Sequence, residues 1–515
     1  RSLAKVPGKL SKSLAKPLAI CSRLIVGDMM AHDLQLRDAT GWLAAMAAGE
    51  LTARDLLEKV IARIEAVNPS LNAVVVTDFA AARKAADVAD KARAAGEVLG
   101  PLHGLPMTIK DALEVAGIVT TGGAPELKDH VPTAHADAVQ RVVDAGAIII
   151  GKTNVPYMSG DLQTYNDVYG TTNNPWDTGR TPGGSSGGAA ASLAAGLTMI
   201  EIGSDIGGSI RCPAHYCGVA GHKPSLGLVS KRGHIPPPPG MVEEDDLSVV
   251  GPLARSVRDL ELMLPILLGP SARDAKAWRV ELPAARANQP KGMRLALWLD
   301  DPFATVSAAT KKALNDLADG LEAAGAKVDR DPPLPTSLAE TMKIYHPMLN
   351  AVVLSGLPDQ MLEGLAERAK GSDPDSTDID VLQARGADMR YRTHAIYQEM
   401  RAAYQAAWEA FFENYDAVLM PVSPDAAFEH NTDVSFAERV VPVDGADRAY
   451  IDFLKWAGPA ILGRLPATVT RAGFSPQELP IGVQIMGPYL EDLTTLAVGR
   501  AVEGVTGGFH PPELV

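Results

Sequence analysis

Residues 182–211 read Pro182-Gly183-Gly184-Ser185-Ser186-Gly187-Gly188, an Ala- and Leu-rich run to Leu197, Thr198-Met199-Ile200-Glu201-Ile202-Gly203, and then Ser204-Asp205-Ile206-Gly207-Gly208-Ser209-Ile210-Arg211. The small residues after Gly187 predict a helix, and Thr198 to Gly203 reads as a strand. The second glycine loop then leads into a short helix. Helix and strand alternate here, joined by two loops in which a serine stands among glycines. That alternation predicts an α/β sheet.

The pattern extends in both directions. Toward the N-terminus, Thr52-Ala-Arg-Asp55 is a weak capping box, followed by Leu56, Leu57, Val60, Ile61, Ile64 and Val67 at helical spacing. Asn68-Pro69 is expected to stop that helix. Ala73 to Thr77 reads as a strand, Phe79 to Ala95 as a helix, Leu105 to Ile109 as a short strand ending at Lys110-Asp111, Asp137 to Ala145 as a helix, and Ala147 to Ile150 as a buried strand. Toward the C-terminus come a strand at Met293 to Leu299 and an amphipathic helix at Ala308 to Ala324. A mostly helical segment follows at 335–412, with a polar break at Gly371 to Thr377. Late strands are expected at Ala417 to Met420 and Ile481 to Met486, and a closing helix at Glu491 to Val505. No internal repeat and no Gly/Ser or charged linker divides the chain, so one α/β domain with a helical excursion at about 335–412 is expected.

Composition excludes several classes. The 515 residues are 46% hydrophobic and 21% charged, ordinary for a globular protein. No apolar run reaches the roughly 18 residues of a membrane helix. A net charge of −14 argues against a general nucleic-acid binder. Three cysteines cannot build a disulfide framework, which points to a reducing, cytoplasmic setting. Residues 1–28 hold six basic residues (Arg1, Lys5, Lys9, Lys12, Lys16, Arg23) and one acid, Asp28, leaving −19 on the remainder. This leader repeats Ser-Leu-Ala-Lys at Ser2 and Ser13 without signal-peptide architecture. Met29 or Met30 reads as a natural start, so 1–28 is expected to lie outside the fold and 29–515 to form it.

Four motifs invite chemistry. Gly146-Ala-Ile-Ile-Ile-Gly151-Lys152-Thr153 matches a phosphate loop letter for letter. Ile148, Ile149 and Ile150 prefer extended backbone, so the loop cannot curl round a phosphate, and the match is rejected. Gly183 to Gly188 fits G-x-S-x-G, but its lead-in, Asp177-Thr-Gly-Arg-Thr-Pro182, is turn chemistry rather than the strand a nucleophile elbow needs. It reads as a flexible loop or as a site. In Asp205 to Arg211, two glycines before Ser209 would let backbone N–H groups crowd round a point beside its hydroxyl, as an oxyanion hole requires; a tight structural turn is the other reading. Lys110 either snorkels to the surface or is desolvated and able to act as a base.

Lys110, Ser185 and Ser209 in this order, with Gly-Gly-Ser-Ser-Gly-Gly and Asp-Ile-Gly-Gly-Ser-Ile-Arg, resemble the amidase signature family over nearly all the chain after Met30. Gly104-Leu-Pro106, Gly151-Lys-Thr-Asn154, Asn174-Pro-Trp176, Gly221-His-Lys-Pro224 and Pro480-Ile-Gly-Val-Gln484 support it. The resemblance implies one large α/β domain with a central mixed β-sheet flanked by helices on both sides. It implies a Ser-cisSer-Lys triad: Ser209 the nucleophile, Ser185 the relay after a cis peptide bond, Lys110 the neutral base. The N–H groups of Ile206, Gly207, Gly208 and Ser209 would form the oxyanion hole, and Ser186, Asp205 and Arg211 would support the loops. No cofactor, metal, nucleic acid or membrane partner is expected, and the protein should act as a monomer or homodimer.

The family often has Glu where this chain has Tyr157. Cys212 and Cys217, with His215 between them, offer a nucleophilic Cys-His pair, but packing is the favoured reading. The expected reaction is hydrolysis of small carboxylic amides through an acyl-enzyme, with esters and carbamates as further substrates. The alternatives are a urethanase, or a protein like the A subunit of a glutamine amidotransferase, working in a complex. Two other classes compete, a histidine-dependent α/β-hydrolase and a nucleotide-binding module. Gly233 to Gly240, with four consecutive prolines at Pro236 to Pro239, reads as a stiff wall near the site or as an inert surface turn, the first being favoured. Tyr345, Met348, Leu349 and Val353 read equally as substrate-lining residues or as helix core.

Overall fold

A computed structural model describes residues 34–514 other than 388. The basic leader at 1–28 lies outside them. The small sheet that carries Lys110 is built from β1 (Val74–Thr77), β2 (Pro106–Lys110) and β3 (Ile148–Thr153), in the order β1-β3-β2. β2 is parallel to β3, with Lys110 opposite Thr153, and β1 is antiparallel to it. Two hairpins, β4 (Tyr165–Asn166) with β5 (Gly170–Thr171) and β12 (Val440–Val443) with β13 (Ala446–Ala449), are peripheral.

The main sheet has eight strands: β6 (Ile200–Asp205), β7 (Ala220–Lys223), β8 (Val249–Ala254), β9 (Arg294–Leu297), β10 (Lys327–Asp329), β11 (Ala417–Pro421), β14 (Ala467–Phe474) and β15 (Pro480–Met486). Their order is β10-β9-β11-β15-β14-β7-β8-β6. The β9–β10 and β9–β11 pairs are parallel and the rest antiparallel, so the sheet is mixed as expected.

Side chains alternate across a strand, and β15 shows both faces covered. Ile481, Val483 and Ile485 pack with Leu314, Leu317 and Leu321 of the helix Ala308–Ala323 and with Val498 and Val502 of the helix Asp492–Thr506. On the other face Gly482 donates its N–H to His215 Nδ1, Gln484 meets Arg211, and Met486 joins a core with Trp298 and Trp456.

The two serine loops bracket a buried unit. The helix Gly187–Ala194 is buried at every residue, which its small side chains permit, and it runs back into β6. Larger side chains at Gly187 and Gly188 would collide: a Cβ would sit 2.3 Å from Thr164 Oγ1 and 2.4 Å from the Asn154 nitrogen, respectively.

Two expectations need correction. The helix Ala53–Leu71 passes through Pro69 and ends at Asn72, whose φ is 50°. Pro69 lies in the last turn, and Asn68 organises the exit by accepting from the N–H groups of Ala73 and Val74. In the main sheet, strands β7, β8, β10 and β14 add to those expected. Ala-Gly-His-Lys has the composition of a turn. β8 contains Gly251 and Pro252, residues that argue against a strand; Pro252 is tolerated where pairing with β7 has ended, at Leu253. The helical excursion is present as Leu338–Val353, Asp359–Ala366, Ile379–Ala387 and Tyr391–Phe412.

Candidate active site

Lys110 ends β2 with no exposed surface. Burial pulls its amine down from 10.5 to about 7, against the opposing pull of the Asp205 and Glu201 carboxylates. Its Nζ lies 2.7 Å from Ser185 Oγ and 2.9 Å from Ser204 Oγ. The Gly184–Ser185 peptide is cis. Glycine is required before Ser185, because a Cβ at 184 would lie 2.4 Å from the Asp161 carbonyl oxygen.

Ser209 sits where β6 turns into the short helix Arg211–Cys217. The N–H of Ser186 donates to the Ser209 carbonyl at 3.2 Å, joining the two serine loops. Asp205 organises the second loop. It accepts from the N–H groups of Gly208 (2.8 Å) and Ile210 (3.1 Å) and from Arg211 Nε (3.0 Å) and Nη2 (2.8 Å). Burial alone would raise the Asp205 carboxyl, but Arg211 and these donors hold it at about 2.

This geometry amends the expected oxyanion hole. The Gly208 N–H is committed to Asp205 and is not available to an oxyanion. The N–H groups of Ile206, Gly207 and Ser209 have no partner among the described residues. Gly208 serves through its backbone instead, with φ +98°.

Several contacts at the site come from segments remote in sequence. Tyr345 donates its O–H to the Ile206 carbonyl at 2.7 Å, so it anchors the loop. Of its companions, Met348 and Leu349 are core and Val353 is exposed. Arg211 Nη1 donates to the Ala457 carbonyl (3.1 Å) and to Gln484 Oε1, which fixes it from the late chain. Ser204 and His234 form a further chain behind Lys110. His234 Nε2 is 2.7 Å from Ser204 Oγ and Nδ1 is 2.8 Å from the Pro236 carbonyl oxygen. The Gly233–Gly240 turn therefore does lie beside the site. No local pattern reveals these contacts or marks Ser204 and His234, since the partners are remote in sequence.

The rejected motifs are occupied otherwise. Gly151, Lys152 and Thr153 are part of β3. Lys152 is buried, donating to the Leu113 carbonyl (2.5 Å) and Thr120 Oγ1 (2.9 Å), with Asp111 at 3.6 Å. It cannot meet a phosphate. His215 accepts from Gly482 and bonds the Asp425 carbonyl, while burial pushes the Cys212 thiol up to about 12. These two form no nucleophilic pair. Tyr157 is half exposed and donates to Glu126 Oε1 at 2.8 Å.

Residues 55–496, which span both serine loops and Lys110, match the Amidase family. The chain belongs to the amidase signature family. Among relatives of this family, the A subunit of glutamyl-tRNA(Gln) amidotransferase from Synechococcus sp. (strain CC9605) is 33% identical over 492 residues, covering 91% of this chain and 96% of its own. A bacterial aryl acylamidase of the amidase signature family superposes with a TM-score of 0.75 at 26% identity, over 92% of this chain and 96% of its own. The 6-aminohexanoate cyclic dimer hydrolase superposes with a TM-score of 0.75 at 27% identity, over 94% and 99%. This amidase signature protein thus shares its fold and family with C–N hydrolases and with components of amidotransferases. Among its described residues no helix is long and apolar enough to cross a membrane.

Proposed function

We propose that this chain is a serine amidohydrolase that cleaves the C–N bond of small carboxylic amides through an acyl-enzyme on Ser209. The observation that carries the reading is the fully buried Lys110 amine 2.7 Å from Ser185 Oγ, in a setting that pulls it to about 7. A base near the working pH is the efficient choice for proton transfer.

Neutral Lys110 takes the hydroxyl proton of Ser185 as Ser185 takes that of Ser209, and Ser209 Oγ bonds to the substrate carbonyl carbon. The carbonyl π pair moves onto oxygen, where the N–H groups of Ile206, Gly207 and Ser209 donate to it. When the tetrahedral species collapses, the C–N bond breaks and the proton on Lys110 returns through Ser185 to the leaving nitrogen. Water then attacks the acyl-enzyme, releasing the acid and restoring Ser209. Ser186, Asp205 and Arg211 hold the loops in register. Esters and carbamates present the same carbonyl and are included as substrates. The helices at 335–412 are assigned as the substrate cover, a role supported by the reach of Tyr345 to Ile206.

The identity with the amidotransferase component supports a second reading, in which the same triad works only within a complex. A panel of amides, esters and carbamates offered to the purified chain, with mass detection of acylated Ser209, separates the two. Turnover by the chain alone, abolished in Ser209→Ala, is expected. Full activity in Ser209→Ala refutes the nucleophile, and hydrolysis that needs partner proteins favours the second reading.

A further inference from the structure

The hydrogen bonds behind Lys110 have a fixed direction. A carbonyl oxygen can only accept, so the His234 nitrogen 2.8 Å from the Pro236 carbonyl, Nδ1, carries a hydrogen. A neutral imidazole carries one hydrogen, so Nε2 is an acceptor. Ser204 Oγ, 2.7 Å from Nε2, must donate its only hydrogen there. Lys110 Nζ, 2.9 Å from Ser204 Oγ, is left to donate to it.

We propose that His234, acting through Ser204, is a positioning residue that keeps the lone pair of Lys110 aimed at Ser185. A neutral amine has two hydrogens and one lone pair. With one hydrogen held by Ser204, the lone pair is free to face the Ser185 hydroxyl at 2.7 Å. Without His234, the Ser204 hydroxyl can turn and donate to Nζ. The lone pair is then occupied, and Lys110 can only donate to Ser185, which is the wrong direction for a base.

The surroundings hold the imidazole neutral and in place. Burial comes first, and repulsion from Lys110 whenever that amine is protonated comes second; together they push His234 down to about 4. Asp245 opposes this and Lys231 adds to it; the two are paired with each other at 3.0 Å. The His234 backbone is anchored to the segment that follows Lys110: Ile235 N–H donates to the Ala112 carbonyl (2.7 Å) and Glu114 N–H to the Gly233 carbonyl (2.9 Å). His234 and Ser204 also line one small cavity with Lys231, Arg232, Glu243 and Glu244.

This inference rests on Lys110 being the base, and the test separates the two claims. The readout is the rate at which a fluorophosphonate phosphonylates Ser209, followed by intact mass. Wild type should be labelled and Lys110→Ala should not; if that fails, the base reading itself fails. If it holds, His234→Ala should slow labelling about 10- to 100-fold, part of the roughly 100- to 10,000-fold a positioned base supplies. His234→Gln, which presents an acceptor oxygen to Ser204, should recover most of the lost rate. In Ser204→Ala, adding His234→Ala should cost nothing further, because no hydroxyl remains to orient. A wild-type rate in His234→Ala, or losses that multiply in the double variant, overturns the inference. Should His234→Ala not fold, ¹⁵N-histidine spectra of the wild type decide. The Nδ1–H tautomer is expected at His234, and an Nε2–H tautomer overturns the inference.

Discussion

Replacing Lys110 with methionine should remove activity and, at neutral pH, make the protein more stable. An amine pulled from 10.5 to about 7 is held at roughly 5 kcal/mol against its preference for water, at about 1.4 kcal/mol per pH unit. Methionine removes that penalty and fills a similar volume. It also forfeits the contacts with Ser185 and Ser204, about 1 kcal/mol each. The variant should therefore gain about 3 kcal/mol at pH 7. The sign follows from proton counts. Between about 7 and 10.5 the unfolded lysine holds a proton that the folded one has lost, so wild-type stability rises with pH across that window. By pH 10 little of the penalty remains, and the variant should be about 1 kcal/mol the less stable. Lys152 and Lys223, also lowered by burial, titrate in both proteins and cancel in the difference. Urea denaturation of both proteins at pH 7, 8.5 and 10 measures it. A variant less stable than wild type at pH 7, or an offset that does not change with pH, would show that the amine is not held neutral in the folded protein.

Tyr345→Phe removes the O–H that holds the Ile206 carbonyl, and so loosens the peptide whose N–H belongs to Gly207. Turnover should fall about tenfold and stability by about 1 kcal/mol, read from steady-state rates and thermal unfolding. Asp205→Asn leaves Arg211 as a buried charge without its carboxylate, a loss of about 3–5 kcal/mol at pH 7. Because the folded Asp205 carboxyl is depressed to about 2, its contribution is complete above its ordinary 3.8 and is lost as pH falls toward 2. The deficit of the variant should therefore shrink over that range in denaturation curves, and a constant deficit would argue against the ion pair as its source.

What was legible in the sequence was local. Glycines flanking Ser185 and Ser209 mark places where backbone must pass closely, and a Cβ at Gly184 would meet Asp161 backbone. Lys110 stands out because a charge ends an apolar strand. The isoleucines of the false phosphate loop state their preference for a strand, and β3 forms there. What was not legible depends on distant chain segments. His234 reaches Ser204 from a proline turn, Tyr345 reaches Ile206 from the helical excursion, and β7 and β8 have turn-like compositions that only their neighbours in the sheet override. The expected donor Gly208 fails for the same reason: the carboxylate that captures its N–H is three residues away, but its orientation is fixed by Arg211 and, through it, by Gln484.

The Arg211–Gln484 contact has a consequence for how the protein comes to life on the ribosome. The residues assigned to the chemistry have all been made once Ser209 has been synthesised. The brace of their loop is supplied by β15, which inserts between β11 and β14 and is made long after Ser209. A nascent chain that has not yet exposed β15 holds every reacting group and lacks the strut that orders them. Ordering of the loop that carries Ser209 thus waits for β15, whose Gln484 is made 273 residues after Arg211, and a fragment ending before Pro480 should regain an ordered loop only when the missing strand is supplied in trans.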